Sequence, residues 1–370
     1  MKKTLLAAAL IAGFAGVAQA ETSVTLYGII DTGIGYNQIK GTVAGVDVKA
    51  SKFGLINGVQ SGSRWGLKGS EDLGDGLRAV FQLESGFDSS TGVQAQGGTG
   101  TDRLFGRQAT IGLAGDSWGQ LDLGRQTNIA SKYLPGVIDP FNAGFGQANA
   151  GTSFTSSNTL RLDNMIMYQT PNFSGFQFGL GYSFNANGSQ TWKLSGQDDT
   201  NNRVVTTGLR YSNGPIGVAL TYDRMNNSSL DTPAVTEWNL GGAYDFEVVK
   251  VSLGFGQTRN GLFAAQNFGQ YSSLAPGLSY ADGLKINSYL VGLSAPVGNG
   301  RVLASWQMAD PHSSDESLGN LSKQQSFSLG YTYNLSKRTN LYAIGSYAKH
   351  VYFQDDLKST MVGVGIRHQF

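Results

Sequence analysis

The sequence predicts an all-β fold, a 16-stranded antiparallel transmembrane β-barrel with short periplasmic turns and long extracellular loops, and three observations carry that prediction. The first is strict alternation: Phe176, Phe178, Leu180, Tyr182 and Phe184 are interleaved with Gln177, Gly179, Gly181 and Ser183, the period of a strand with one apolar and one polar face. The second is a series of seven tight turns whose centres recur at intervals of 33 to 56 residues, room for two strands of about 10 residues and one longer polar connection. The third is that no run of 18 apolar residues follows Ala20, which excludes a helical membrane span.

Taken in order, residues 1–20 read as a leader. Lys2 and Lys3 precede an apolar run from Leu5 to Ala18, and Ala18-Gln19-Ala20 supplies the small residues of a cleavage site. The mature chain is then one unit, 21–370. Its tight turns fall at Leu73 to Leu77, Gly115 to Gly119, Asn172 to Gly175, Asn213 to Pro215, Asp245 to Val248, Val297 to Gly300 and Leu335 to Arg338, rich in the Gly, Asn, Asp and Pro that short hairpins require. Eight long connections alternate with them, near 38–60, 88–101, 126–159, 185–202, 225–236, 259–282, 309–324 and 350–356. Val249, Val251, Leu253 and Phe255 repeat the alternation, as do Phe327, Leu329, Tyr331 and Tyr333, and Val362, Val364 and Ile366. A soluble β-sandwich would also alternate, but it seals its apolar face inside. Here the opposite face is so rich in Gly, Ser, Gln and charge that it suits a watery lumen, and a closed barrel leaves no edge amide unpaired in lipid.

Composition narrows the function. With 27 basic and 26 acidic side chains the chain has no electrostatic footprint for nucleic acid. Removing Lys2 and Lys3 with the leader leaves 25 basic against 26 acidic groups. Zero Cys removes thiolate metal sites and Cys nucleophiles. The 52 Gly are about twice ordinary usage, and the inward strand faces account for many of them, where small size is expected to keep a channel open.

Five segments carry a family resemblance: Ser63-Arg64-Trp65-Gly66-Leu67-Lys68-Gly69-Ser70-Glu71-Asp72-Leu73-Gly74, Leu123-Gly124-Arg125-Gln126, Thr170-Pro171-Asn172-Phe173-Ser174-Gly175-Phe176, Asn334-Leu335-Ser336-Lys337-Arg338-Thr339 and Gly365-Ile366-Arg367-His368-Gln369-Phe370. In this order along the mature chain they resemble the general-diffusion porins of β-proteobacteria. The resemblance implies homotrimers of outer-membrane barrels whose third long loop folds into the lumen and narrows it, passing ions and small hydrophilic solutes without a cofactor. The segment 126–159 is the matching loop, and its Tyr133, Leu134, Val137, Ile138, Phe141, Phe145 and Phe154 need a surface to pack on.

The resemblance also places an Arg ladder opposite acids at the constriction: Arg64, Arg107 and Arg161 against Glu84 and Asp139. Parity can be checked. With Trp65 and Leu67 facing lipid, Arg64 and Lys68 face the lumen; with Leu77, Ala79, Phe81 and Leu83 outward, Arg78, Gln82 and Glu84 face inward. With Leu160, Leu162, Ile166 and Tyr168 outward, Arg161 and Asp163 are inside. Arg107 shares parity with Ala109, Ile111 and Leu113, so pointing it inward requires a bulge, or apolar residues tolerated in the lumen beside a subunit contact, and Arg125 has the same difficulty. Asp139, by its position before Pro140, also reads as a turn-initiating residue. A fixed charge about 4 Å away in water changes the local ion concentration roughly fivefold, so unmatched Arg residues give mild anion preference.

No catalytic residue or metal site is expected. Gly115-Asp116-Ser117-Trp118-Gly119 fits a nucleophile-elbow pattern, but an alternating strand follows where a helix is required. His312, His350 and His368 are scattered. The pairs Asp198-Asp199 and Asp355-Asp356 lie in outer loops, suited to solvent or to ion-bridged lipopolysaccharide. The rivals to a pore are a barrel hydrolase, for which His350 and Ser346 are the only candidates, and a closed structural or adhesive barrel.

Overall fold

The computed structural model describes residues 23–43, 45–97, 102–228, 232–268, 278–315 and 318–370. The expected leader, 1–20, lies outside the described residues, as do 98–101, 229–231, 269–277 and 316–317 within the expected long connections.

Among the described residues the chain forms sixteen strands: β1 (Ser23–Val43), β2 (in two stretches, Val46–Asn57 and Arg64–Gly74), β3 (Leu77–Phe87), β4 (Gln108–Gly115), β5 (Gly119–Thr127), β6 (in two stretches, Arg161–Leu162 and Met165–Gln169), β7 (Phe176–Ser183) and β8 (Val204–Asn213). They continue with β9 (Ile216–Met225), β10 (Val235–Asp245), β11 (Lys250–Arg259), β12 (Leu284–Val297), β13 (Gly300–Ser313), β14 (Gln324–Asn334), β15 (Thr339–Lys349) and β16 (Lys358–Gln369). Each strand pairs antiparallel with its sequence neighbours, and β1 pairs with β16 from Ile29↔Gln369 to Lys40↔Lys358, which closes the sheet into a barrel. Closure satisfies the ladder amides without water, the condition for standing in lipid.

The outer face is apolar because lipid is its solvent. Leu26, Ile34, Ile111, Leu123, Leu180, Leu220, Leu240, Leu253, Leu329 and Val364 are all exposed there. Aromatic pairs such as Phe176 with Tyr211 and Tyr244 with Phe246 sit beside the short turns, where ring and hydroxyl meet the interface. The largest buried apolar cluster lies inside the barrel. Ile129, Tyr133, Leu134, Val137, Ile138 and Phe154 of the third loop pack on Met165, Met167, Val204, Ala219 and Leu290 of the wall.

The structure departs from the sequence reading in two places. The expected connection 38–60 is instead a continuation of the β1–β2 hairpin, paired as far as Val43↔Val46, with the break displaced to residues 58–63 between the two stretches of β2. The Asp31 carboxylate organises that break, accepting from the Ser61 amide at 2.6 Å and the Tyr342 hydroxyl at 2.6 Å. In β6, Leu162 is buried in the lumen cluster although it was expected to face lipid. The interruption at Asp163–Asn164, with Asn164 at φ 49°, resets the alternation, so Met165 and Met167 point inward and Ile166 outward.

Candidate functional site: the lumen constriction

The third loop leaves β5 at Asn128, whose side-chain oxygen caps α1 (Ile129–Tyr133) by accepting from the Ser131 amide at 3.2 Å. After α2 (Pro135–Ile138), started by Pro135 at a position where its missing N–H costs nothing, the chain runs through three short 3₁₀ turns to β6. Both roots are fixed to two acids on the wall. Asn128 donates to Asp223 at 2.8 Å, while Thr155 Oγ1 and the Ser156 amide donate to Glu237 at 2.8 and 3.0 Å. The far side of the loop reaches across the lumen: Gln307 donates to the Ala148 carbonyl at 2.7 Å and Ser359 to Gln147 at 2.7 Å.

What the loop leaves open is a polar cavity of ≈ 690 Å³. The loop segment Pro140 to Phe145 forms one side, and Arg64, Arg107, Arg161, Arg301 and Arg367 supply its charge. Glu84 is the acid in contact with this cluster, 2.6 Å from Arg107 Nε and 3.7 Å from Arg64 Nε, and it accepts from the Tyr27 hydroxyl at 3.0 Å. Arg367 donates to Ser61 Oγ at 2.7 Å, and the amide of that same serine is held by the Asp31 carboxylate; Arg301 donates to Ser294 Oγ at 3.1 Å, a neutral partner. Arg161 donates to the Thr159 carbonyl at 3.2 Å, and its Nε has no hydrogen-bond partner among the described residues.

The seven residues singled out in the sequence separate into three groups. Arg64, Arg107 and Arg161 meet at the cavity, with Glu84 between the first two. Arg107 points inward because the chain bends at Gly106–Arg107, just before β4 begins, which overrides strand parity. Lys68 is lumenal but lies four residues nearer the short-turn rim, about 13 Å along β2, in a second polar pocket with Gln82 and Asp122, its ammonium 5.5 Å from the Tyr27 ring centre. Arg125 and Asp139 are not among the residues lining the cavity. Arg125 braces the wall, donating to the Gly106 carbonyl at 2.8 Å and to Asp163 at 2.6 Å; Arg103 holds the other Asp163 oxygen.

Asp139, expected to present its charge to the passage, is turned into its own loop, accepting from the amides of Phe141, Ala143 and Ala150 at 2.9, 2.8 and 3.1 Å. Burial pushes its carboxyl up to about 6, against the pull of those three N–H groups toward the charged form. Arg301 and Arg367 were missed as site residues, yet parity holds both. Arg367 follows Gly363 and Gly365 on the small-residue face of β16, and Arg301 shares parity with the buried Ser305 and Gln307 of β13.

The expectation that inward Gly keeps the channel open holds for only part of the wall. Under the loop, a Cβ on Gly241 would stand 2.1 Å from Ile138 Cγ2, and one on Gly292 would stand 2.6 Å from Pro140 Cγ. Those glycines admit the loop.

A closed sheet with an apolar exterior, a polar lumen and a chain segment narrowing that lumen defines a pore-forming membrane barrel. The chain belongs to the Gram-negative porin family, whose pattern matches residues 7–350. It is 58% identical to an outer membrane porin protein of Bordetella pertussis, over the full length of both chains, and 34% identical to outer membrane porin protein 32 of Delftia acidovorans, also over the full length of both. Among solved structures it superposes on an anion-selective porin from Comamonas acidovorans with a TM-score of 0.72 and 30% identity, over 94% of this chain and 100% of that one. The protein is therefore an outer-membrane β-barrel of the channel-forming class.

Proposed function

We propose that the barrel passes ions and small hydrophilic solutes by passive diffusion, with a mild preference for anions set where Arg64, Arg107, Arg161, Arg301 and Arg367 face the third loop. The observation that carries this reading is the charge balance at the cavity, five guanidinium groups with Glu84 in contact with only two of them. Fixed cations lining a narrow aqueous path raise the local anion concentration, and the effect weakens with salt over a Debye length of about 8 Å at physiological strength. The anion-selective description of the Comamonas acidovorans structure points the same way for that protein. A channel rather than a hydrolase is favoured because His350 Nδ1 lies 2.6 Å from its own loop's Asp355 carbonyl, while Ser346 Oγ is engaged by Ser328 at 2.8 Å.

The finer assignments belong to the same proposal. Residues 1–20 act as a cleaved leader, 21–370 form the barrel, three copies assemble as in the trimeric porins it resembles, and the outer loops meet lipopolysaccharide. A gel run with and without heating reads the trimer as a slow-migrating band lost on boiling. Planar-bilayer recordings read the channel: ohmic single-channel steps, with a zero-current potential of anion sign in a potassium chloride gradient, are the expected result. A silent membrane, or a potential of cation sign, contradicts it.

A further inference from the structure

The connection between β11 and β12 does more than close the rim. Its first part lies on the third loop and bonds to it by side chains. Asn267 Nδ2 donates to Asn149 Oδ1 at 3.0 Å and to Asn158 Oδ1 at 2.9 Å. Asn158 Nδ2 returns a bond to Asn267 Oδ1 at 3.1 Å and another to the Ala265 carbonyl at 2.8 Å. Gln266 donates to the Thr152 carbonyl at 3.1 Å, and the Phe263 amide to Thr155 Oγ1 at 3.2 Å. Phe263 is buried in the same apolar cluster as Phe154.

These partners bracket the loop segment 149–158 at both ends. Asn149 Oδ1 also accepts from the Gly151 amide at 2.9 Å, holding a 3₁₀ turn, and it lies four residues beyond Phe145, which lines the passage. A shift of Asn149 therefore passes through a short, turn-rich stretch to the wall of the constriction. Among the described residues, the side-chain bonds of Gln266 and Asn267 go to the third loop.

We propose that the segment 263–267 is an external strap that sets the position of the third loop, and that Asn267 is its positioning residue, fixing the width and steadiness of the passage from outside it. The inference rests on the channel reading above and adds a control element at the extracellular rim. Losing the Asn267 amide removes three hydrogen bonds at one point, enough to raise the displaced fraction of the loop about tenfold or more.

The test is single-channel recording of the parent, Asn267→Ala and Asn267→Gln in planar bilayers, beside the temperature at which the heat-sensitive oligomer band disappears. The expected result for Asn267→Ala is an altered open level and flicker increased about tenfold at an unchanged dissociation temperature, with Asn267→Gln, which keeps an amide on a longer stem, restoring part of the quiet level. A folded Asn267→Ala with the parent's open level and noise overturns the strap. Failure of Asn267→Ala to assemble overturns it equally, because the residue is then a folding contact. A parent that carries no current refutes the channel reading instead, so the two failures are distinguishable.

Discussion

From β7 round to β12 the inner wall carries Gly179, Gly208, Gly241 and Gly292 beneath the third loop, whereas β13, β16 and β2 carry Arg301, Arg367 and Arg64 toward the open cavity. Both stretches alternate with an apolar outer face, so lipid imposes the same outward rule on each. They differ in what covers the inside. On the loop side, apolar side chains and two buried acids hold a segment of chain in place. On the other side, long cations meet few counter-charges. The same small-residue parity thus serves two ends, admitting a loop in one half and displaying charge in the other, and the constriction is the seam between the halves.

The comparison is broken most severely from the covered side. Gly241→Val sets a branched side chain where Ile138 already lies, and overpacking of this kind costs about 1–3 kcal/mol. The loop can yield only toward the lumen, so single-channel conductance is expected to fall severalfold while the barrel keeps its heat-sensitive oligomer band. Conductance equal to the parent's would show that the loop does not rest on that glycine.

A smaller effect comes from the acid at the seam. Glu84→Gln removes the carboxylate that Arg64 and Arg107 share, leaving both cations unmatched at the cavity. Anion preference is expected to rise, by up to about fivefold in the permeability ratio for one charge in water. An unchanged ratio would mean that the pair is screened from the conducting path.

The smallest expected effect is on pH dependence. The folded Asp139 carboxyl titrates near 6 against 3.8 for an unburied one, so the folded state holds its proton more readily than the unfolded state. Its contribution to stability is fully present below about pH 4 and is lost as pH rises through about 6. Between those values the dissociation temperature of the parent should decline more than that of Asp139→Asn. Parallel profiles would show that Asp139 stays ionised throughout.

Much of this architecture is legible in the chain because lipid and lumen impose period two on every strand, and Arg64, Glu84 and Arg367 follow from that period alone, whereas Arg161 reaches the cavity beside a Leu162 that also faces inward. Legibility ends where the period does. Arg107 turns inward through a bend that parity cannot register, and the interruption at Asp163–Asn164 reverses the face of Leu162. The sequence allows two readings of Asp139, a lumen-facing acid or a turn-initiating residue before Pro140. The bond from the Phe141 amide to its own carboxylate is the turn geometry. The anchoring of the loop by Asp223 and Glu237 has no local signal either, because their partners are some 80 to 95 residues away in sequence.

The central claim is that the Arg-lined half of the wall sets the preference for anions. The most direct measurement is the zero-current potential across a planar bilayer in a potassium chloride gradient, recorded for the parent and for the double variant Arg64→Ser/Arg161→Ser. The account predicts an anion-sign potential for the parent that moves toward zero or reverses in the variant, more strongly at low salt than at high. An identical potential for the two proteins would contradict it.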